Sequence, residues 1–243
     1  MTVRIGIIGA QGRMGQAIAA EVAATDMAAA FALDAGDDPA AVSTPADVLI
    51  DFSAPAALDA NLRLAERLGA AIVVGTTGLE PAHHAAIDAA AARVAVLQTG
   101  NTSLGVNLLA HLVREAAARL GEDWDIEVVE MHHRHKVDAP SGTALLLGQA
   151  AAAGRGVDLG EASVRGRDGI TGARAPGTIG FASLRGGSVA GDHLVVLAGE
   201  GERIELGHRA ESRAIFARGA LRAARWIAGQ TPGRYTMGDV LGL

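Results

Sequence analysis

The sequence predicts an α/β protein in two parts, a doubly wound parallel sheet followed by an α+β domain with a mostly antiparallel sheet. Three observations carry that prediction. Over residues 1–101, short β-type runs alternate with stretches of helical apolar spacing, the pattern of a parallel sheet built from βα units. The first such unit is a strand, a glycine turn and a helix. Past residue 101, three β-type runs follow one another without helices between them, as strands of an antiparallel sheet do. A closing helical stretch, Ala214 to Ala228, is assigned back to the first part. The expected domains are therefore 1–101 with 214–243, and 102–213.

Composition narrows the classes of function. Apolar residues make up 49% of the 243 but aromatics only 3%, so the core is built from alanine, valine, leucine and isoleucine. There is no cysteine, which removes disulfides, zinc–thiolate sites and thiol nucleophiles and suits a reducing cytoplasm. A net charge of −6 argues against a nucleic-acid binder that relies on phosphate contacts. No apolar run approaches a membrane span, and the N-terminus enters a strand without a signal-peptide pattern. The expectation is a cytoplasmic protein with neither a nucleic-acid nor a membrane partner.

Val3 to Ile8 is the first β-rich run, and Gly9-Ala10-Gln11-Gly12-Arg13-Met14-Gly15 follows it. Apolar residues then recur at Met14, Ile18 and Val22, a helical spacing. This is the context of a dinucleotide-binding fingerprint, here G-x-x-G-x-x-G rather than the common G-x-G-x-x-G. An ordinary tight turn is the plainer alternative. A second strand, Ala28 to Leu33, ends in Asp34, 19 residues after Gly15, where an acid is expected on ribose hydroxyls. Asp37 and Asp38 leave a plain acidic loop as the other reading. Val48 to Phe52, Ala71 to Val74 and Val94 to Leu97 are three more buried-type strands, with a helix from about Ala56 to Leu68. The last two run into Gly75-Thr76-Thr77 and Thr99-Gly100-Asn101-Thr102. In a doubly wound sheet of the Rossmann kind, ligands bind beyond such strand ends.

Leu108, Leu109, Leu112, Val113, Ala116 and Leu120 then make an amphipathic helix closing at Gly121. Asp125 to His133 alternates as a strand, with Ile126, Val128 and Glu130 facing one way. It leads into the densest chemistry of the chain, E-M-H-H-R-H-K-V-D-A-P-S-G-T-A-L from Glu130 to Leu145. Pro140 and Ser141 precede a periodic apolar run, so a helix start, whose first N–H groups have no intrahelical carbonyl, belongs at Gly142 and Thr143. Such a terminus favours anions. His132, His133, His135 and Lys136 therefore stand a few residues from a carboxylate or phosphate cradle, as proton transfer on an anionic substrate requires. Surface histidines leaving a strand are the plainer reading. No metal is expected, because His132 and His133 point to opposite faces and no thiolate can complete a ligand set. Gly180 to Leu184, His193 to Ala198 and Arg203 to His208 are the remaining β-type runs. The loop from Arg165 to Gly177 is too long for a simple connection.

Together these motifs resemble the 4-hydroxy-tetrahydrodipicolinate reductase family, also called dihydrodipicolinate reductase, of the diaminopimelate route to lysine. The block E-M-H-H-R-H-K-V-D-A-P-S-G-T-A carries most of the resemblance. G-A-Q-G-R-M-G, I-D-F-S-A-P, V-G-T-T-G, N-T-S-L-G-V-N and P-G-T-I-G-F-A-S-L-R extend it over essentially the whole chain. The resemblance implies a Rossmann domain, a domain for substrate binding and tetramerisation, and a C-terminal segment returning to the first domain. It implies His132 as the acid/base histidine, Lys136 as the proton donor, and His133, Gly142 and Thr143 as contacts to the substrate carboxylate. It implies a pyrophosphate loop at Gly9, Ala10, Gln11, Gly12, Arg13 and Met14. Gly75, Thr76, Thr77, Thr99, Gly100, Asn101 and Thr102 match the turns beside the nicotinamide half. The departures are local. Thr102 stands where many members have phenylalanine, Ala35 follows Asp34 where many have arginine, and the chain is short between Asp34 and Val48.

The implied reaction delivers hydride from the nicotinamide to the ring carbon conjugated to the imine of a cyclic dicarboxylate. The resulting enamine takes up a proton, a task suited to histidine with its ordinary pKa near ~6.5. With Ala35 in place of arginine and Asp37 and Asp38 nearby, NADH is the expected cofactor ahead of NADPH. Another small Rossmann oxidoreductase acting on an amino dicarboxylate is a second reading, but it does not need H-H-R-H-K paired with P-S-G-T. A nicotinamide-sensing protein without turnover is a third, and no basic helix-turn-helix pattern accompanies it.

Overall fold

The computed structural model describes residues 2–243, and they fall into two compact units, residues up to 104 with 214–243, and residues 105–213. In chain order the elements begin with β1 (Arg4–Ile8), α1 (Arg13–Ala23), β2 (Ala28–Leu33), β3 (Val48–Asp51), α2 (Leu58–Leu68) and β4 (Ala71–Val74). They continue with α3 (Pro81–Ala91), β5 (Ala95–Gln98), α4 (Leu104–Leu120), β6 (Asp125–His132), α5 (Gly142–Arg155), α6 (Leu159–Ala162) and β7 (Ser163–Val164). The last are β8 (Ile179–Arg185), β9 (Asp192–Gly199), β10 (Glu202–Arg209), α7 (Ala214–Ile227), β11 (Gly233–Tyr235) and α8 (Met237–Leu241).

The first unit is built on a six-stranded sheet in the order β11-β5-β4-β3-β1-β2, with every pairing parallel. Strands β3 and β4 are buried along their whole length, which is why they read V-L-I-D and A-I-V-V without alternation. On one face Ile5, Ile7, Ile50, Val73 and Leu97 pack with Ile18 and Val22 of α1 and Ala220 and Ile227 of α7. On the other, Leu49, Ile72 and Val96 pack with Leu58 and Leu62 of α2 and Ile87 and Ala90 of α3. The doubly wound parallel sheet expected from the alternation of elements is thus the one observed. Its order reverses at β1, which has β2 on one side and β3 on the other. The crevice of that reversal lies beyond the carboxyl ends of β1 and β3. The helix expected from about Ala56 opens with a 3-10 turn, Pro55–Ala57, before α2.

The second unit holds a five-stranded sheet in the order β10-β9-β6-β8-β7. Strand β9 runs antiparallel to both neighbours, whereas β6, β8 and β7 run parallel. The sheet is therefore mixed. A parallel neighbour needs a crossover, and the long segment through α5 between β6 and β8 supplies it. Leu109 and Val113 of α4, and Ala144, Leu147 and Ala151 of α5, pack on Ile126, Val128, Phe181, Val195 and Leu197. Alternation along β6 sends residues 126, 128, 130 and 132 to that buried side. The opposite face carries Val129, Met131, Leu194 and Val196, all partly exposed, and Leu184, 45% exposed. The long loop before β8 is anchored at its base, where Arg167 and Arg174 both pair with Glu127 and Arg174 also reaches Asp125. Burial resists ionisation of Glu127, but the two guanidinium groups outweigh it and hold its pKa below the ordinary carboxylate value.

Candidate active site

Strand β6 delivers the histidine cluster. His132 turns to the buried side and is only 8% exposed, while His133 is half-buried and His135 exposed. Nδ1 of His132 lies 2.6 Å from Glu130 Oε2. Glu130, 1% exposed, accepts both terminal nitrogens of Arg185, at 2.8 Å on Oε2 and 2.9 Å on Oε1. Burial works against its ionisation, and the hydrogen bonds from Arg185 and His132 more than offset this, leaving its pKa lowered. Oε1 also accepts the backbone N–H of Ser141 at 3.3 Å.

Ser141 is the N-cap of α5, its hydroxyl accepting the N–H of Ala144 at 3.1 Å. Gly142 and Thr143 are the first two residues of that helix, at its positive end. One carboxylate thus ties the buried histidine to the helix start. His193 of β9 stands edge-on to His132, ring centroids 5.1 Å apart, with its Nε2 3.2 Å from the Ser141 hydroxyl. Burial, and then the charge of His132, push the pKa of His193 down to about 4. Lys136 pairs with Asp138 at 2.8 Å. Nε2 of His133 lies 3.3 Å from Arg213 Nη2, and its pKa is lowered by desolvation and then by Arg213 and the other cations of the cluster. Cationic groups beside a capped helix start can hold an anionic substrate and hand it a proton.

In the first unit, β1 runs into a turn at Gly9, where φ is +79° and a Cβ would stand 2.5 Å from the carbonyl oxygen of Phe52. A Cβ at Gly15 would stand 2.2 Å from the carbonyl oxygen of Gly9. Both close approaches require glycine. Helix α1 begins at Arg13 with Gly12 as its N-cap, without a side-chain cap and without an acid in its first turn. Its positive end fits a pyrophosphate. Ala10, Gln11 and Met14 complete this loop, with Gln11, Gly12 and Arg13 exposed. Asp34 closes over it, Oδ2 accepting the N–H of Gln11 at 2.5 Å and Oδ1 that of Ala35 at 2.7 Å. Those hydrogen bonds lower its pKa. The residues therefore fit a dinucleotide.

The other predicted turns are mixed in what they present. Thr77 and Gly100 are exposed, Asn101 is half-buried and Gly75 is buried. Thr76 gives its hydroxyl to Asp51 Oδ1 at 3.2 Å, and Thr99 gives its own to the carbonyl of Asn101 at 2.8 Å. Thr102 is not brought to this edge by its side chain. It is 1% exposed, and its hydroxyl donates to the carbonyl of Phe216 in α7 at 2.7 Å.

Sequence reasoning missed Asp51, Arg185, His193 and Arg213 as members of these clusters. Asp51, fully buried at the end of β3, gathers on Oδ1 the N–H of Ser53 at 2.9 Å, its hydroxyl at 2.5 Å and the hydroxyl of Thr76. Its place on the apolar run V-L-I-D was the one available signal. Among the described residues no group of histidine, aspartate or glutamate is arranged to hold a metal ion, and no helix is long and apolar enough to cross a membrane.

Residues 3–102 match the family described as dihydrodipicolinate reductase, N-terminus, and residues 105–241 that described as dihydrodipicolinate reductase, C-terminus. The chain is 57% identical over 249 residues to the 4-hydroxy-tetrahydrodipicolinate reductase of Zymomonas mobilis subsp. mobilis, covering 100% of this chain and 98% of that protein. It is 51% identical over 265 residues to the enzyme of the same name from Rhodopseudomonas palustris, covering 99% and 98%. In fold it is similar to dipicolinate-bound dihydrodipicolinate reductase from Paenisporosarcina sp. TG-14, with a TM-score of 0.79 at 22% identity over 97% of this chain and 98% of that one. A DAP dehydrogenase of C. glutamicum in complex with DAP is similar in fold at a TM-score of 0.54 and 14% identity, over 98% and 93%. The chain therefore belongs to the dihydrodipicolinate reductase family, a family of pyridine-nucleotide-dependent oxidoreductases.

Proposed function

We propose that this chain reduces dihydrodipicolinate, the dehydrated form of 4-hydroxy-tetrahydrodipicolinate, to tetrahydrodipicolinate with NAD(P)H in diaminopimelate and lysine biosynthesis. The observation that carries the reading is the shared carboxylate. Through Glu130 a buried histidine and the capped start of α5 are held together, and a cyclic dicarboxylate that must be protonated needs both. The N–H groups of Gly142 and Thr143 seat one substrate carboxylate, with His133 adding a polar contact. The nicotinamide, when bound, supplies the hydride to the ring carbon conjugated to the imine. The residues of this chain orient the ring and manage the proton. Lys136 gives a proton to the enamine carbon as its electron pair forms the new C–H bond, and His132 is the acid/base partner. One hydride and one proton complete the reduction.

Finer points follow from the same reading. Asp34, ionised beside the pyrophosphate loop, accepts hydrogen bonds from ribose hydroxyls and disfavours an added phosphate, so NADH is preferred to NADPH. The apolar outer face of the second sheet, with Leu184, Leu194 and Val196, is the surface through which copies of the chain form a homotetramer. The enzyme works in the cytoplasm, on a soluble dicarboxylate. The test is NAD(P)H oxidation with substrate generated in place by dihydrodipicolinate synthase. His132→Gln and Lys136→Ala should each lower kcat by about 10²- to 10⁴-fold, with NADH affinity unchanged. No oxidation with the synthase product, or full kcat in either variant, would overturn the reading.

A further inference from the structure

Proton transfer through an imidazole needs the proton on the correct nitrogen, and the surroundings of His132 determine which one that is. Glu130 is buried, and a lone carboxylate would be unfavourable there. The two-pronged bond from Arg185 keeps it ionised. An ionised carboxylate has no hydrogen to give, so Nδ1 of His132, 2.6 Å from Oε2, is the donor in that bond. Nδ1 is thereby occupied in both charge states of the ring, and Nε2 is left to take and give the proton. The space beside Nε2 is kept clear by Gly191, where φ is +153° and a Cβ would stand 2.9 Å from that nitrogen. Glu130 lies on the strand of His132, Arg185 comes from β8 and His193 from β9, while His133 and Lys136 follow in the next turn.

We propose that Glu130, clamped by Arg185, is a positioning residue that fixes Nδ1 of His132 as a constant donor and Nε2 as the atom through which the proton moves. This rests on the reading of His132 as a proton-handling residue. In Glu130→Gln the side chain keeps its shape but loses one acceptor. With its NH2 group towards His132, it faces donor to donor and forces the opposite tautomer. Turned the other way, it confronts the Arg185 Nη2 and Ser141 N–H donors.

The experiment is a double-mutant cycle of Glu130→Gln and His132→Gln, reading kcat, KM and the dissociation constant of dipicolinate. Glu130→Gln should lower kcat by about 10²-fold, short of the roughly 10⁴-fold that a wrong histidine tautomer can cost in a hydrolase triad. KM and dipicolinate affinity should move by less than about threefold. In the His132→Gln background the same change should lower kcat by less than about threefold, because residues acting as a unit are not additive. An equal loss in both backgrounds would mark a merely structural role and overturn the inference. So would a collapse in His132→Gln with Glu130→Gln near wild type, and that result would leave the reading of His132 standing. Full kcat in His132→Gln would overturn both. If Glu130→Gln does not fold, Glu130→Asp, which draws the carboxylate back by one methylene, enters the same cycle with the same expected direction.

Discussion

Acidification from pH 7.5 to 5.0 should destabilise this fold through His193. The residue is 5% exposed, its Nε2 meets the Ser141 hydroxyl, and its Nδ1 is buried without a hydrogen-bond partner among the described residues. Burial, then the charge of His132, places its pKa at about 4, whereas an exposed histidine in the unfolded chain titrates near ~6.5. The folded pKa is the lower one, so below ~6.5 the unfolded chain binds a proton that the fold does not, and stability falls with pH. The loss runs from about pH 6.5 to about pH 4, at up to ~1.4 kcal/mol per pH unit. Integrated between pH 7.5 and 5.0 it amounts to about 2 kcal/mol. Glu127, Glu130 and Asp138 have lowered pKa values, and their contributions are lost only below about pH 4.3, so they leave this window alone. His133 and His208 are displaced in the same direction by burial and add to the slope, so the measurement must be a difference. Urea unfolding at several pH values and one fixed protein concentration, followed by tryptophan fluorescence, supplies it. His193→Gln keeps an amide donor for Ser141 and does not titrate. Its stability relative to wild type should rise by about 2 kcal/mol between pH 7.5 and 5.0. Parallel curves for the two proteins across that range would refute the account.

Four further outcomes are expected. Asp34→Ala with Ala35→Arg should move the ratio of kcat/KM for NADH over NADPH by at least about tenfold towards NADPH, since the carboxylate leaves and a phosphate-binding cation arrives; an unmoved ratio would count against the role of Asp34. Gly142→Pro keeps helix α5, whose first position tolerates proline, and removes one N–H. It should weaken dipicolinate binding by about tenfold or more, a lost hydrogen bond to a charged group, while Thr143→Val should change it by less than about threefold. Gly15→Ala, whose Cβ would crowd the Gly9 carbonyl at 2.2 Å, should destabilise the fold by about 1–3 kcal/mol and weaken NADH binding, read by thermal melting and fluorescence titration. Leu194→Glu, on the outer sheet face, should convert a species of about 98 kDa, four times 24.6 kDa, into smaller ones by light scattering.

What was legible in the sequence was whatever is written locally. Strands β1, β3, β4 and β5 read plainly because burial on both faces leaves continuous apolar runs, and the start of α5 because proline, serine and the following apolar run are contiguous. Helix α3 did not stand out by period, since P-A-H-H-A-A-I-D-A-A-A is alanine-rich all round and buries only Ile87, Ala90 and Ala91. Strand β11, three residues long, is too short to show a period of two. The parallel pairing of β6 with β8 was invisible for a different reason, as composition does not record strand direction. Thr102 sits in sequence among turn residues, yet its hydroxyl is used by a carbonyl 114 positions away, a contact that no local pattern encodes.

The site shows the same division between local signals and distant partners. Alternation along β6 put Glu130 on the side of Ile126 and Val128, so the sequence contained an acid facing a core on a strand that carries no lysine or arginine of its own. A buried carboxylate must have a partner or lose its charge. The partner lies 55 residues on, where the parallel register sets Arg185 opposite His132 and lets its guanidinium reach Glu130. The anomaly was therefore readable while its resolution was not, because the resolution depends on which strand lies beside β6. An acid placed on the apolar side of a strand, where burial would otherwise cost it its charge, points to a cation on the adjoining strand. Here the register of β8 provides that cation, and the charge it stabilises is the one that touches the histidine.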